Sequence, residues 1–248
     1  SFFVEKEIIE KRDYISLFLA SLFGIFINQI SYLEGLSKTS PIDASLVVTL
    51  LPILAMLIAA GYLKEPITRL KVIGVIIGAS GALLIILKSN TISHGTSSLY
   101  GNMLCFISCF SYAFYLVFFK NLMGKYHAIT IMKWMFFYAS ILCLPFCYKD
   151  VAATDYSKLS VNVYWSIFYV VFGATFLSYL LIGIAISKLR PTTVSMYNYV
   201  QPLVASLAAV FLGLDKLGFV KILAAFLIFF GVFLVTKSKS KADMEAGE

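Results

Sequence analysis

Most of the stretch from Ser37 to Gly81 is written twice in this chain. Pro41 and Pro52 recur as Pro191 and Pro202, each 150 residues downstream. At that one offset Ser37-Lys38 meets Ser187-Lys188, Ser45 meets Ser195, and Ala55 meets Ala205. Leu57 meets Leu207, Ala59 meets Ala209, Lys71 meets Lys221 and Gly81 meets Gly231. Glu65 meets Asp215, so an acid is kept at that place. No gap is needed. Shared apolar composition gives scattered Leu and Ala matches; it does not align two prolines, a Ser-Lys pair, an acid and a lysine. The stretch is an internal structural repeat.

Composition says where the repeat folds. Hydrophobic residues are 60% and charged residues 13%, against about 45–50% and about 25% in soluble domains. This is the composition of an all-α polytopic membrane protein, with the lipid bilayer as its first partner. The net charge of +7 does not point to nucleic acid, because the basic residues sit between apolar runs, where they orient a membrane protein. Cys105, Cys109, Cys143 and Cys147 all lie inside apolar runs. They read as small packing residues, with no disulfide framework, metal or cofactor implied.

A span needs about 20 apolar residues, and eight such stretches follow one another. They are Tyr14–Leu33, Pro41–Leu63, Leu70–Leu87, Leu99–Phe119, Ala128–Tyr148, Val163–Ile186, Pro191–Leu212 and Leu217–Val235. Glu34–Ser40, Lys64–Arg69 and Lys120–His127 read as turns, and Lys88–Ser98 and Lys149–Asn162 as polar loops. Ser40 and Asp43 are placed as a capping box around Pro41. Residues 237–248 read as a disordered tail. Fourteen of the 20 basic residues fall on the side of the Glu5–Asp13 loop and six on the other, so the rich side, with the C-terminus, is expected in the cytoplasm.

The second span corresponds to the seventh. The seventh comes five spans later, an odd number, so the second copy enters the membrane from the opposite face. This is an inverted repeat, the plan of many secondary transporters. Residues 97–236 hold all five helices of one copy, and residues 1–90 hold three helices of the other. Ser1-Phe2-Phe3-Val4 reads as the end of a preceding helix. The counterpart of Leu99 falls about 50 residues before Ser1, room for two more spans, so ten are expected.

The function-bearing candidates follow from the prolines. Pro52 stands eleven residues after Pro41, about 16 Å along a helix and half the hydrocarbon depth; Pro202 is its equal in the inverted copy. Each removes one backbone bond and frees the carbonyl four residues earlier, on Val48 and Asn198. Such pairs either kink helices for packing or mark a transporter's binding site. Polar side chains gather on the same spans: Asn28, Gln29 and Tyr32 on the first, Ser45 and Thr49 on the second, Ser111 and Tyr115 on the fourth. Ser178 and Tyr179 follow on the sixth, and Ser195, Asn198 and Gln201 on the seventh. They read either as interhelical glue or as the lining of a cavity for a small metabolite. Gly74, Gly78 and Gly81 form a small-residue seam for close packing, inside one chain or between the two copies of a homodimer. Glu34, Asp43, Glu65 and Asp215 all lie near helix ends and His94 and His127 in loops, so these spans show no mid-membrane proton carrier.

Ser40-Pro41-Ile42-Asp43-Ala44-Ser45, Thr49-Leu50-Leu51-Pro52, Leu63-Lys64-Glu65 and Lys71-Val72-Ile73-Gly74, with Gly24–Gln29 ahead of them, resemble the EamA-type branch of the drug/metabolite transporter superfamily. Arg190-Pro191 to Gln201-Pro202, Leu214-Asp215 and Gly231 look like the same signature again. Asp215-Lys216 departs from the Gly-Glu that the family often has. The resemblance implies ten helices in two inverted five-helix units around a central cavity, both termini cytoplasmic, and export or exchange of small metabolites such as amino acids. The expected protein is a multi-pass permease of a bacterial inner membrane. A non-transporting scaffold would use the glycine seam but leaves the paired prolines unexplained. An enzyme is not expected, since no His-Glu-x-x-His or Gly-x-Ser-x-Gly stretch occurs.

Overall fold

The computed structural model describes residues 7–88, 98–154, 159–211 and 218–239. The expectations for Ser1–Val4, His94, Asp215, the start of the last span at Leu217 and the tail from residue 240 lie outside these. Every regular element among the described residues is helical. In chain order they are α1 (Lys11–Ser21), a π-helical segment (Leu22–Ile27), α2 (Asn28–Lys38), α3 (Pro41–Val48), α4 (Leu51–Tyr62), α5 (Arg69–Lys88) and α6 (Leu99–Phe118). Then come α7 (Lys120–Lys125), α8 (Ala128–Ala153), α9 (Val161–Phe168), a second π segment (Tyr169–Leu177) and α10 (Ser178–Lys188). The chain finishes with α11 (Pro191–Met196), a 3₁₀ turn (Tyr197–Tyr199), α12 (Val200–Phe211) and α13 (Phe219–Lys237).

Seven helices among the described residues are long and apolar enough to cross a membrane: Lys11–Lys38, Asp43–Tyr62, Arg69–Leu87, Leu99–Phe118, Ala128–Lys149, Val161–Lys188 and Phe219–Lys237. The eighth expected span, Pro191–Leu212, is the one cut into α11, a 3₁₀ turn and α12. Trp165, Phe168 and Phe172 are 66%, 56% and 51% exposed. Such a patch is anomalous in water and ordinary against acyl chains.

Three expected boundaries move. Glu34–Ser40 is not a turn: α2 runs on to Lys38, because Glu34 and Lys38 pair at 3.1 Å one helical turn apart and the Ser37 hydroxyl donates to the Glu34 carbonyl at 2.8 Å. Only Thr39 and Ser40 remain outside the helix. The Lys120–His127 turn contains α7, and α8 continues past Tyr148 to Ala153. The Ser40 cap stands as expected: its hydroxyl accepts from the Asp43 N–H at 3.0 Å, with Pro41 opening α3.

The repeat is visible in the element ends. Shifted by 150 residues, α2 coincides with α10 at both ends, α3 and α11 both begin on the proline, and α5 and α13 begin together. The first π segment, shifted likewise, falls on the last six residues of the second.

The chain forms two compact units. One takes the chain up to Phe26 together with Phe119–Leu189; the other takes Ile27–Phe118 and the chain from Arg190 onward. In the first, α1 packs on α8. The Ser21 hydroxyl donates to the Met135 carbonyl at 2.7 Å, and Tyr14 meets Trp134 edge-on with ring centres 4.9 Å apart. At the start of α1, Lys125 pairs with Glu10 at 2.8 Å and Asp13 at 2.7 Å, and the Tyr126 hydroxyl donates to Asp13 at 2.7 Å. The Glu7 carboxylate accepts from the His127 N–H at 3.0 Å, at the start of α8, where a negative charge suits the helix dipole.

In the second unit α5 and α13 run antiparallel along the glycine seam. A Cβ on Gly74 would stand 2.8 Å from the Gly231 carbonyl oxygen, and one on Gly81 would stand 2.8 Å from the Ala224 carbonyl oxygen. Gly231 is the counterpart of Gly81, and Ala224 of Gly74. The two contacts are therefore images of one another, the pattern that a two-fold axis imposes. The inversion deduced from counting spans is thus present in the packing of this unit. Gly74, Gly78 and Gly81 all meet side chains or backbone of the same chain, as the first reading of the seam expects. Around it sits a core of Met56, Val75, Ile85, Met196, Tyr199, Leu203, Ile228 and Val232.

Chain exit from α4 completes this unit. Lys64 adopts a left-handed backbone with φ 55°, and the N–H groups of Leu63 and Glu65 both reach the Ala59 carbonyl. That turn sends Glu65 back onto Lys71, with Oε2 and Nζ 3.0 Å apart and the side chains 9% and 1% exposed. Lys71, one of the fourteen basic residues on the Glu5–Asp13 side, is buried in this ion pair.

Candidate functional site

The site is built from two broken helices. In α3 the bonding tightens before the break: the Thr49 N–H is shared between the Ser45 and Leu46 carbonyls, and the Leu50 N–H reaches back only three residues, to Val47. Pro52 then occupies the first turn of α4, where its missing N–H costs nothing. The second copy breaks in the same way, as a single 3₁₀ turn at Tyr197–Tyr199, with Pro202 in the first turn of α12. The mid-span interruptions expected at Pro52 and Pro202 are therefore real, and each splits its span into two short helices.

The two breaks touch. The Tyr199 hydroxyl donates to the Thr49 carbonyl at 2.9 Å in a buried setting. The carbonyl that takes this partner is that of Thr49, one residue beyond the expected Val48, because the helix has already tightened before Pro52.

Most small hydroxyls at the breaks bond to their own helix. Ser45 donates to the Pro41 carbonyl at 2.7 Å, Thr49 to Leu46 at 2.6 Å, and Ser195 to Thr192 at 2.8 Å. Such bonds satisfy the hydroxyl and bend the helix. The amides reach further. Asn28 donates to both the carbonyl and the hydroxyl of Ser108, at 3.1 and 3.0 Å, tying α2 to α6. Asn198 donates to the Ser195 carbonyl at 3.1 Å and accepts from Gln201 at 3.2 Å, forming a short polar ladder across the second break. Ser111 and Tyr115 are buried on α6, and the Tyr115 ring stacks on Tyr112 at 5.9 Å. Gln29 is exposed and Tyr32 half-buried on α2.

Ser178 and Tyr179 belong to the other compact unit. There the Ser178 hydroxyl donates five residues back to Gly173 at 3.2 Å, and Thr175 does the same to Val170 at 2.8 Å, the spacing of a π-helix rather than an α-helix. The Tyr179 hydroxyl donates to the Gly24 carbonyl at 3.1 Å, inside the first π segment. The structure thus brings Thr49 to the Tyr197–Tyr199 turn, Asn28 to Ser108, and Tyr179 to Gly24.

Chemically these groups are neutral donors and acceptors. Among the described residues no cluster of three or more His, Cys, Asp or Glu side chains could hold a metal ion. The arrangement suits hydrogen bonding to a polar solute and bending of helices. Three features escaped the sequence reading: the Tyr199 bond, the Ser108 partner of Asn28, and the burial of the Glu65–Lys71 pair. The first had a signal, since Thr49 and Tyr199 are 150 residues apart, the offset of the repeat itself.

Comparison with known proteins agrees with this architecture. Residues 1–87 and 99–237 match the EamA-like transporter family. An uncharacterised transporter of Archaeoglobus fulgidus is 26% identical over 93% of this chain and 80% of its own length. The uncharacterised transporter YetK of Bacillus subtilis is 23% identical over 94% and 71%. The WAT1-related protein At4g30420 of Arabidopsis thaliana is 25% identical over 95% and 70%. One solved crystal structure has the same fold, with a TM-score of 0.74 at 17% identity, over 90% of this chain and 76% of that one.

Proposed function

The chain belongs to the EamA-like transporter family, and on that premise we propose that it is a permease exporting or exchanging a small metabolite, amino acid-like or drug-like, by alternating access. The observation that carries this reading is the pair of helix breaks, at Thr49–Pro52 and Tyr197–Pro202, joined through Tyr199. Interrupted helices at matched places of two inverted copies are where secondary transporters bind and bend. The amides of Asn28, Asn198 and Gln201 supply donors and acceptors in the same unit. With no ionised group at the breaks, facilitated passage or exchange is favoured over proton coupling through these helices. The charge asymmetry of the loops supports a cytoplasmic C-terminus, and a bacterial inner membrane is the proposed location.

Metabolite profiling of cells overexpressing the full protein tests this. The expected result is a change in one or a few extracellular polar metabolites that Asn28→Ala/Asn198→Ala abolishes while the protein still reaches the membrane. Identical profiles from wild type, double variant and empty cells would overturn it.

A further inference from the structure

Thr49 and Tyr199 are equivalent positions of the two copies, and they touch. Equivalent points meet only on the axis that relates the copies, so this bond lies across the pseudo-two-fold axis of the unit. The bond itself is not symmetric. The Tyr199 ring rests on α5 where Gly78 carries no side chain; a Cβ there would stand 2.9 Å from ring carbon Cδ2. The positions equivalent to that pair are Thr49 and Ile228, so neither an aromatic ring nor a glycine stands there. The aromatic ring and the space for it therefore occur once, on one side of the axis. Tyr199 is 1% exposed, so its hydroxyl has no water to turn to, and a buried acceptor left bare is costly.

We propose that Tyr199 is a positioning residue for transport: its hydroxyl latches the break in α3–α4 to the break in α11–α12, so that the two bend together. The latch rests on the permease reading above. In a carrier made of inverted copies, the two open states arise when the copies exchange conformations. A contact that has no counterpart across the axis has different energy in the two, and biases which one the protein rests in. Tyr199 holds the carrier in the state described here.

Tyr199→Phe removes the hydroxyl and keeps the ring on Gly78. Hydrogen exchange on the purified full chain in lipid nanodiscs is the direct measurement. The amides of Leu50, Leu51, Ile53 and Leu54 and those of Val200, Gln201, Leu203 and Val204 should exchange faster together, by roughly five- to tenfold, the equivalent of one buried neutral hydrogen bond. Tyr197→Phe, on the same turn but 53% exposed, should match wild type. Gly78→Ala, which pushes on the ring, should reproduce the Tyr199→Phe pattern. In flux assays on the metabolite found by profiling, Tyr199→Phe should change Vmax and leave KM in place, since Tyr199 orders the breaks without holding the solute. Unchanged exchange at both breaks, or faster exchange at one alone, would overturn the latch. If wild type moves no metabolite, the permease reading fails, while the exchange data still decide whether the breaks are coupled.

Discussion

Gly231 and Gly74 meet backbone to backbone: a Cβ on Gly231 would lie 2.6 Å from the Gly74 carbonyl oxygen, and one on Gly74 2.8 Å from that of Gly231. Neither neighbour is a flexible side chain that moves aside. Gly231→Ala must therefore push α13 away from α5 along their whole crossing. Overpacking of this kind costs about 1–3 kcal/mol, read as a lower melting temperature in detergent. Gly61 has nothing within 4 Å of a built Cβ. Gly61→Ala should hold or slightly raise the melting temperature, since alanine suits a helix better by about 0.5–1 kcal/mol.

Burial of the Glu65–Lys71 pair predicts that a single variant loses more stability than the double variant. Glu65→Gln leaves the Lys71 ammonium, 1% exposed, without its counter-charge, and breaking a buried pair costs about 3–5 kcal/mol. Glu65→Leu/Lys71→Met removes both charges at similar volume and should be near neutral. Thermal unfolding of the three proteins in one detergent separates these outcomes. Equal loss in single and double variants would show that packing, not charge pairing, holds the turn after α4.

A pH dependence is expected where the end of α7 meets the start of α1. Hydrogen bonds from Lys125 to Asp13, and then to Glu10, hold the Lys125 ammonium above the ordinary lysine range. A folded-state pKa raised above the unfolded one gives stability that is full below the unfolded value, about 10.4, and is lost as pH rises through the folded value. Wild type should lose stability more steeply than Lys125→Met on alkaline titration. Because the Lys125 side chain is 41% exposed, added salt should shrink the difference.

How far the sequence reaches depends on which interactions write themselves into the chain. The repeat, the spans and the breaks were legible because Pro41, Pro52, Pro191 and Pro202 act locally, through a fixed φ and a missing N–H. The Ser40 cap was legible for the same reason. The continuation of α2 to Lys38 was hidden because polar residues in a helix resemble a turn unless their spacing is read; Glu34 and Lys38 at four residues apart carried that signal. The burial of Lys71 was hidden because it depends on the backbone turn at Lys64, which brings Glu65 onto it. The π segments left no pattern in hydropathy, since they change bonding by one residue without changing which side chains are apolar. Asn28 was legible as a polar residue in lipid; that it pairs with Ser108 was set by the packing of α2 on α6.

Inversion of the two copies is the claim on which the transport reading stands. Lys38 and Lys188 are exact counterparts, closing α2 and α10. In whole cells, with the four native cysteines replaced, Lys38→Cys and Lys188→Cys should react with a membrane-impermeant maleimide from opposite faces of the membrane, Lys38→Cys from outside and Lys188→Cys only after the cells are opened. Labelling of both from the same face would contradict the inverted repeat, and with it the paired breaks as a transport site.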